Sequence, residues 1–156
     1  MIFVTVGTGS KGYDPLIRTM DDLAPNIAEN IIAQTGHGIY APKNIQHFKF
    51  APSLTDYYNQ ASMVVTTGGV GTLFELLHLH KKILAVGNND IPDKHQSEIL
   101  DILSRRDYIV WCKNLADIKR CLDAMPSITL KKYIPPPCCI DKVIAQYLRA
   151  KGKWSV

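Results

Sequence analysis

The strongest constraint on the fold is a series of short, almost unbroken apolar runs, each leading into a stretch with helical periodicity. Strands are expected at Ile2–Val6, Asn30–Thr35, Gln46–Phe50, Met63–Thr67, Lys82–Val86 and Tyr108–Cys112. Helices are expected at about Pro15–Ala24, Leu54–Gln60, Thr72–His80, His95–Arg105, Leu115–Ala124 and Ile140–Ala150. Strands that are apolar throughout, rather than alternating, suit a sheet covered by helices on both faces. The chain therefore reads as α/β, with a Rossmann-like open and mostly parallel sheet. One connection resists this pattern. Gly36–Ile45 is too short and too rich in Gly, Pro and Asn for a full crossover helix, so the direction of the third strand stays open.

At 156 residues the chain is one domain's worth of protein. An enzyme class that closes two such domains around its substrates would be incomplete in it. The net charge of +4 is unevenly placed, at −1 over residues 1–130 and +5 over residues 131–156. A neutral body of this kind lacks the basic face of a nucleic-acid-binding domain, so no nucleic acid is expected as partner. The basic end suggests a local docking element. Cys112, Cys121, Cys138 and Cys139 have neither metal-clamp nor ordinary disulfide spacing and read as reduced thiols of a cytoplasmic protein. No apolar run reaches the 18 residues of a membrane span, and the N-terminus lacks the features of a signal peptide.

Ligands of open α/β sheets bind at the carboxyl ends of the strands, where this sequence carries three polar or glycine-rich loops. The first, Val6-Gly7-Thr8-Gly9-Ser10-Lys11-Gly12, matches G-x-G-x-x-G. A dinucleotide site also needs an acidic residue at the tip of the next strand, and that strand ends in Gln34-Thr35-Gly36, with Glu29 at the wrong end. A tight strand-to-helix turn would explain the glycines equally well. The second loop, Thr66-Thr67-Gly68-Gly69-Val70-Gly71-Thr72-Leu73-Phe74-Glu75, runs from an apolar strand into a helix. The N–H groups and positive dipole of a helix start can hold a diphosphate without a metal. Glu75, one turn on, can accept both hydrogen bonds of a ribose diol. The same residues also spell a T-x-x-E capping box, with Thr72 as N-cap. The third loop runs from Gly87 through Asn89, Asp90 and Asp93 to His95 and Gln96, and offers partners for sugar hydroxyls, or else a second capping box.

Together these segments resemble the nucleotide-sugar-binding half of family-28-type glycosyltransferases with the GT-B fold. The likeness is strongest to the family's small stand-alone donor-binding subunits, such as those of asparagine-linked glycosylation and of bacterial capsule and exopolysaccharide synthesis. It covers about residues 1–112 and rests on Phe3-Val4-Thr5-Val6-Gly7-Thr8, the Gly-Gly-Val-Gly-Thr-x-x-Glu run and His95-Gln96 in that order. The resemblance implies that residues 1–130 are a nucleotide-sugar-binding domain, one half of a GT-B fold. Gly9, Ser10 and Gly69–Thr72 would approach the diphosphate, Phe50 and Ala51 would frame the uracil, Glu75 would hold the ribose, and His95 and Gln96 would contact the sugar. Gly7, Thr8, Thr67, Gly68, Asn89 and Asp90 complete the expected donor site. Relatives often carry His-Ala-Gly or Ser-Gly where this chain has Thr67-Gly68-Gly69.

The implied reaction is inverting transfer of a sugar from UDP to an acceptor hydroxyl. No Asp-x-Asp is present, so neither a metal nor another cofactor is expected, the UDP-sugar being substrate. His37 is the one general base the chain itself suggests; the family places the base in the other half. That half would be a membrane-attached acceptor-binding partner subunit presenting a lipid-linked sugar, with this chain cytoplasmic and peripheral to the membrane through it. Asp90 and Asp93 would repel a uronate, which favours a neutral sugar such as GlcNAc. After Pro135–Pro137, Ile140, Val143, Ile144, Tyr147 and Leu148 form one apolar helical stripe beside Lys142, Arg149, Lys151 and Lys153. That helix could pack on its own sheet or cross to the partner. The remaining alternatives are a non-catalytic nucleotide-sugar-binding module and a dinucleotide-dependent oxidoreductase.

Overall fold

The computed structural model describes residues 1–87 and 94–150. Six strands run in order β3-β2-β1-β4-β5-β6: β1 (Ile2–Thr5), β2 (Ile31–Gln34), β3 (Gln46–Phe48), β4 (Met63–Thr67), β5 (Ile83–Val86) and β6 (Val110–Cys112). All five pairings are parallel. The open question of the third strand is thereby resolved, because β3 runs with β2 in the register Ile32↔Gln46. Helices α1 (Asp14–Leu23), α2 (Thr55–Gln60), α3 (Val70–His78), α4 (Lys94–Arg105), α5 (Ile118–Ala124) and α6 (Ile140–Ala150) complete the described fold, with short 3₁₀ turns at Ala24–Asn26, Leu115–Asp117 and Met125–Ser127.

The continuous apolar runs are buried on both sides, as their composition requires. Ile2 and Val4 of β1 enter a core with Leu16, Ile17 and Met20 of α1 and Ile118 of α5. Phe3, between them, enters the opposite core with Tyr58 of α2, Leu73 and Leu76 of α3 and Leu100 of α4. The strand period of two thus divides one sequence run between two helical layers.

The β2–β3 crossover works without a helix because α1 replaces it with side chains. Asp14 accepts the backbone N–H groups of Ile39 and Tyr40, each at 3.1 Å. Asp21, 1% exposed, accepts the Tyr40 hydroxyl at 2.7 Å and the N–H groups of Lys43 and Asn44 at 2.9 and 2.7 Å. Backbone donors that a crossover helix would have satisfied internally are satisfied by two carboxylates about two turns apart along α1.

Beyond residue 130 the chain has no regular secondary structure until α6. Tyr133 docks edge-on against Phe74, His78 and Tyr108, with ring centroids 5.5 to 5.7 Å apart. Ile140, Val143, Ile144 and Tyr147 of α6 remain exposed, so the alternative in which this stripe packs on its own sheet does not hold. The cysteines at 112, 121, 138 and 139 are free thiols. Among the described residues no helix is long and apolar enough to cross a membrane.

Candidate functional site

Strand order locates the site. The chain moves outward from β1 through β2 to β3 and then returns beside β1 as β4, so connections diverge at the carboxyl ends of β1 and β4. Loop 7–12 and the turn from β4 into α3 enclose a cleft of about 420 Å³ at that point. Gly7, Thr8, Gly9 and Ser10 line one wall, Thr67, Gly69, Val70, Gly71 and Thr72 the other, and Gln96 of α4 joins them.

The turn into α3 departs from the capping-box expectation. The helix starts at Val70, with Gly69 as N-cap and no side-chain cap, and Gly69 O accepts the first helical bond from Leu73 N at 3.0 Å. Gly68 and Gly69 complete the turn, so Thr72 becomes the third helical residue and not the cap. Its hydroxyl faces the glycine loop instead, 3.9 Å from where a Cβ on Gly7 would lie. The N–H groups of Val70, Gly71 and Thr72 have no intrahelical acceptor, and together with the helix dipole they give this wall a positive character. A Cβ on Gly9, Gly69 or Gly71 would meet no atom within 4 Å, so a ligand can come directly against the backbone there.

A second cavity, about 240 Å³, adjoins the first at Thr8. It brings together Phe50 and Ala51 from the loop after β3 and Glu75 from α3, three expected site residues from distant parts of the sequence. A flat apolar surface, 47% exposed at Phe50, thus lies in one cavity with a carboxylate. His37, exposed on the loop after β2, packs edge-on against Phe50 with centroids 4.9 Å apart. It lines neither cavity.

Other expected residues separate from the cleft. Gly68 is buried, and a Cβ there would lie 3.1 Å from Leu100 Cδ1 and 3.2 Å from Gln96 Cβ, so α4 needs its missing side chain for packing. His95 is 88% exposed and pairs with Glu98 at 3.7 Å, outside the cleft lining. Asn89 and Asp90 lie outside the described residues. Among those residues no group of His, Cys, Asp and Glu is arranged to hold a metal ion.

Two residues outside the expected set belong to the site. Lys11 lines the same cleft as the open helix start and adds a cation to it. The glycine loop displayed it in sequence, but its position after two glycines fits no Walker spacing. Gln34 is the second, 2% exposed. Its Nε2 donates to Gly7 O at 3.0 Å and to Lys49 O at 2.9 Å, and its Oε1 accepts from the Thr5 hydroxyl at 2.6 Å. It therefore ties the glycine loop to the loop that carries Phe50. At the place where a dinucleotide site would need a ribose-binding acid, this chain has an amide fully engaged with protein groups. The dinucleotide alternative has no residue to rest on.

Comparison with known proteins bears on the family and the fold. Residues 1–108 match the glycosyltransferase family 28 C-terminal domain. The UDP-N-acetylglucosamine transferase subunit ALG13 of Mus musculus is 28% identical over 123 residues, 70% of this chain and 10% of that protein. The same subunit of Homo sapiens is 27% identical over 126 residues, 71% of this chain and 11% of that protein. The chain thus spans about a tenth of the length of these relatives. Among solved structures, MurG of Acinetobacter baumannii has a TM-score of 0.63 at 18% identity, over 79% of this chain and 40% of that one. The solution structure of ALG13 has a TM-score of 0.58 at 18% identity, over 94% of both chains. At those identities the structural likeness is one of fold, a Rossmann-like half of the GT-B architecture. With the matching domain covering most of its length, the chain belongs to the glycosyltransferase family 28 C-terminal domain family.

Proposed function

We propose that this chain is the donor-binding half of an inverting, UDP-sugar-dependent glycosyltransferase that works with a separate acceptor-binding subunit. The observation that carries the reading is the uncapped, glycine-built start of α3, which faces loop 7–12 across a cleft contiguous with the cavity of Phe50, Ala51 and Glu75. A diphosphate fits between the two glycine walls, uracil against Phe50, and the ribose diol on Glu75. As the glycosidic bond breaks, negative charge grows on the departing UDP. The N–H groups of Val70, Gly71 and Thr72 and the Lys11 ammonium can stabilise it, each fixed donor contributing roughly 3 kcal/mol in comparable sites. The site needs no metal in this account. The names of the relatives favour GlcNAc as the donor sugar, with Gln96 beside the cleft available to its hydroxyls.

The acceptor, a lipid-diphosphate-linked sugar, and its general base belong in this reading to a membrane-attached partner, with His37 at the rim as the in-chain alternative. The exposed apolar stripe of α6, flanked by Lys142 and Arg149, suits docking to that partner beside an anionic membrane. Deleting residues 138–156 is expected to move the chain from the membrane pellet to the supernatant of its host; unchanged recovery would refute the docking role.

Calorimetry with UDP, UDP-GlcNAc and NAD tests the donor site. UDP and UDP-GlcNAc should bind, in the presence of a chelator as in its absence, and NAD should not. Glu75→Gln is expected to weaken UDP about tenfold, the effect of one charge-assisted hydrogen bond. Equal affinity for NAD, or an unaffected Glu75→Gln variant, counts against the reading.

A further inference from the structure

Among the described residues, Tyr58 carries a buried polar group that the proposed mechanism does not use. Tyr58 of α2 is completely buried, and its hydroxyl oxygen, shielded from solvent, has no hydrogen-bond partner. Buried polar groups are almost always paired, so an orphan of this kind calls for an explanation. Its ring is well placed, edge-on to Phe3 with centroids 5.7 Å apart and in the same core as Leu73 and Leu76 of α3. A phenylalanine would serve that packing equally well and would leave nothing unpaired.

The position of the residue supplies the explanation. Leu54 and Glu75 both line the second cavity. Tyr58 lies one helical turn beyond Leu54, its N–H donating to Leu54 O at 2.9 Å, and therefore on the same side of α2. It shares a core with Leu73 and Leu76, the buried neighbours of Glu75 in the sequence of α3. Glu75 is also the charge that the phenol senses: burial first, and then the negative Glu75, raise its pKa well above the ordinary tyrosine value. Glu75 itself is exposed, so its carboxylate is free to move.

We infer that Tyr58 is a positioning residue for the ribose site, its hydroxyl donating to the Glu75 carboxylate when a bound nucleotide draws Glu75 inward. A carboxylate has acceptor sites enough for a diol and one further donor. Ligand binding would then satisfy the orphan, so the unliganded protein is destabilised by a group that the complex uses. The inference rests on the proposed ribose role of Glu75.

The test is a double-mutant cycle read by calorimetry with UDP and with 2′,3′-dideoxy-UDP, on wild type, Tyr58→Phe, Glu75→Gln and the double variant, alongside thermal melting. Tyr58→Phe is expected to weaken UDP about tenfold, as for a lost hydrogen bond to a charged group, and to leave dideoxy-UDP binding unchanged. Melting of the free protein should hold steady or rise by about 2–4 °C, since a buried unpaired hydroxyl has been removed. The double variant should bind UDP no more weakly than Glu75→Gln alone. A purely structural tyrosine would instead lower stability and leave UDP affinity, or affect both nucleotides equally; either result overturns the inference, as does an effect that persists in the Glu75→Gln background. If Glu75→Gln itself binds UDP like wild type, the ribose reading fails and this inference with it, a result distinct from a normal Glu75 effect accompanied by a silent Tyr58→Phe.

Discussion

Leucine in place of Gly69 should abolish UDP binding, by about 100-fold or more, in a protein that still folds. The backbone at Gly69 has φ −63° and ψ 116°, an extended conformation that any L-residue adopts without strain. A Cβ there meets no atom within 4 Å, and the residue lines the cleft. The added side chain therefore has room in the protein but occupies the space proposed for the diphosphate, in front of the open N–H groups of α3. Thermal melting should stay within about 2–4 °C of wild type, equivalent to no more than about 1 kcal/mol in a domain of this size. Loss of binding with a large loss of stability would mean that Gly69 serves the fold and not the ligand. Gly12 provides the contrast. It has φ +62°, and a Cβ there would lie 2.6 Å from Gly38 N, so substitution must displace the loop that carries His37.

That contrast marks what a linear sequence can disclose. Both glycine loops announce themselves, because three glycines between a strand and a helix are more than a turn needs. The role of each glycine is not readable, since Gly12, Gly36 and Gly68 answer to neighbours distant in the chain: Gly38, Gly7 O and Leu100. The strands of the central sheet are legible for the opposite reason. Ile2–Thr5 and Met63–Thr67 are buried on both faces, so each residue carries the signal by itself. β3 is short and half-exposed, and its direction depends on Asp14 and Asp21, side chains at least 19 residues from the donors they hold. The T-x-x-E pattern misleads at Thr72 because local cap chemistry is overridden by the turn at Gly68 and Gly69, which moves the N-cap from Thr72 to Gly69. Phe50, Ala51 and Glu75 come together only through the sheet order, so the residues alone do not connect them; the family resemblance does.

Asp21→Ala should be the most damaging single substitution outside the apolar core. The carboxylate is buried and collects the Tyr40 hydroxyl and the N–H groups of Lys43 and Asn44. Removing it strands those donors in the one crossover that has no helix, for a loss of about 3 kcal/mol. In a domain of this length that corresponds to a fall of about 6–12 °C in melting temperature. Burial opposes the charge on Asp21, but the hydrogen bonds from Tyr40 and from the backbone of Lys43, Asn44 and Ile45 outweigh it and hold the pKa below the ordinary aspartate value of 3.8. A carboxylate whose folded pKa is depressed contributes stability that is complete above the unfolded value and disappears as the pH falls through the folded one. The difference in stability between wild type and Asp21→Ala should therefore be constant from neutral pH down to about pH 5 and shrink below pH 4. Denaturant titrations across that range decide the point, since a gap that widens on acidification would require the buried group to be held protonated. Because the same segment positions His37 against Phe50, the variant should also lose UDP affinity at temperatures where it is still folded, linking a carboxylate in the last turn of α1 to the rim of the donor site.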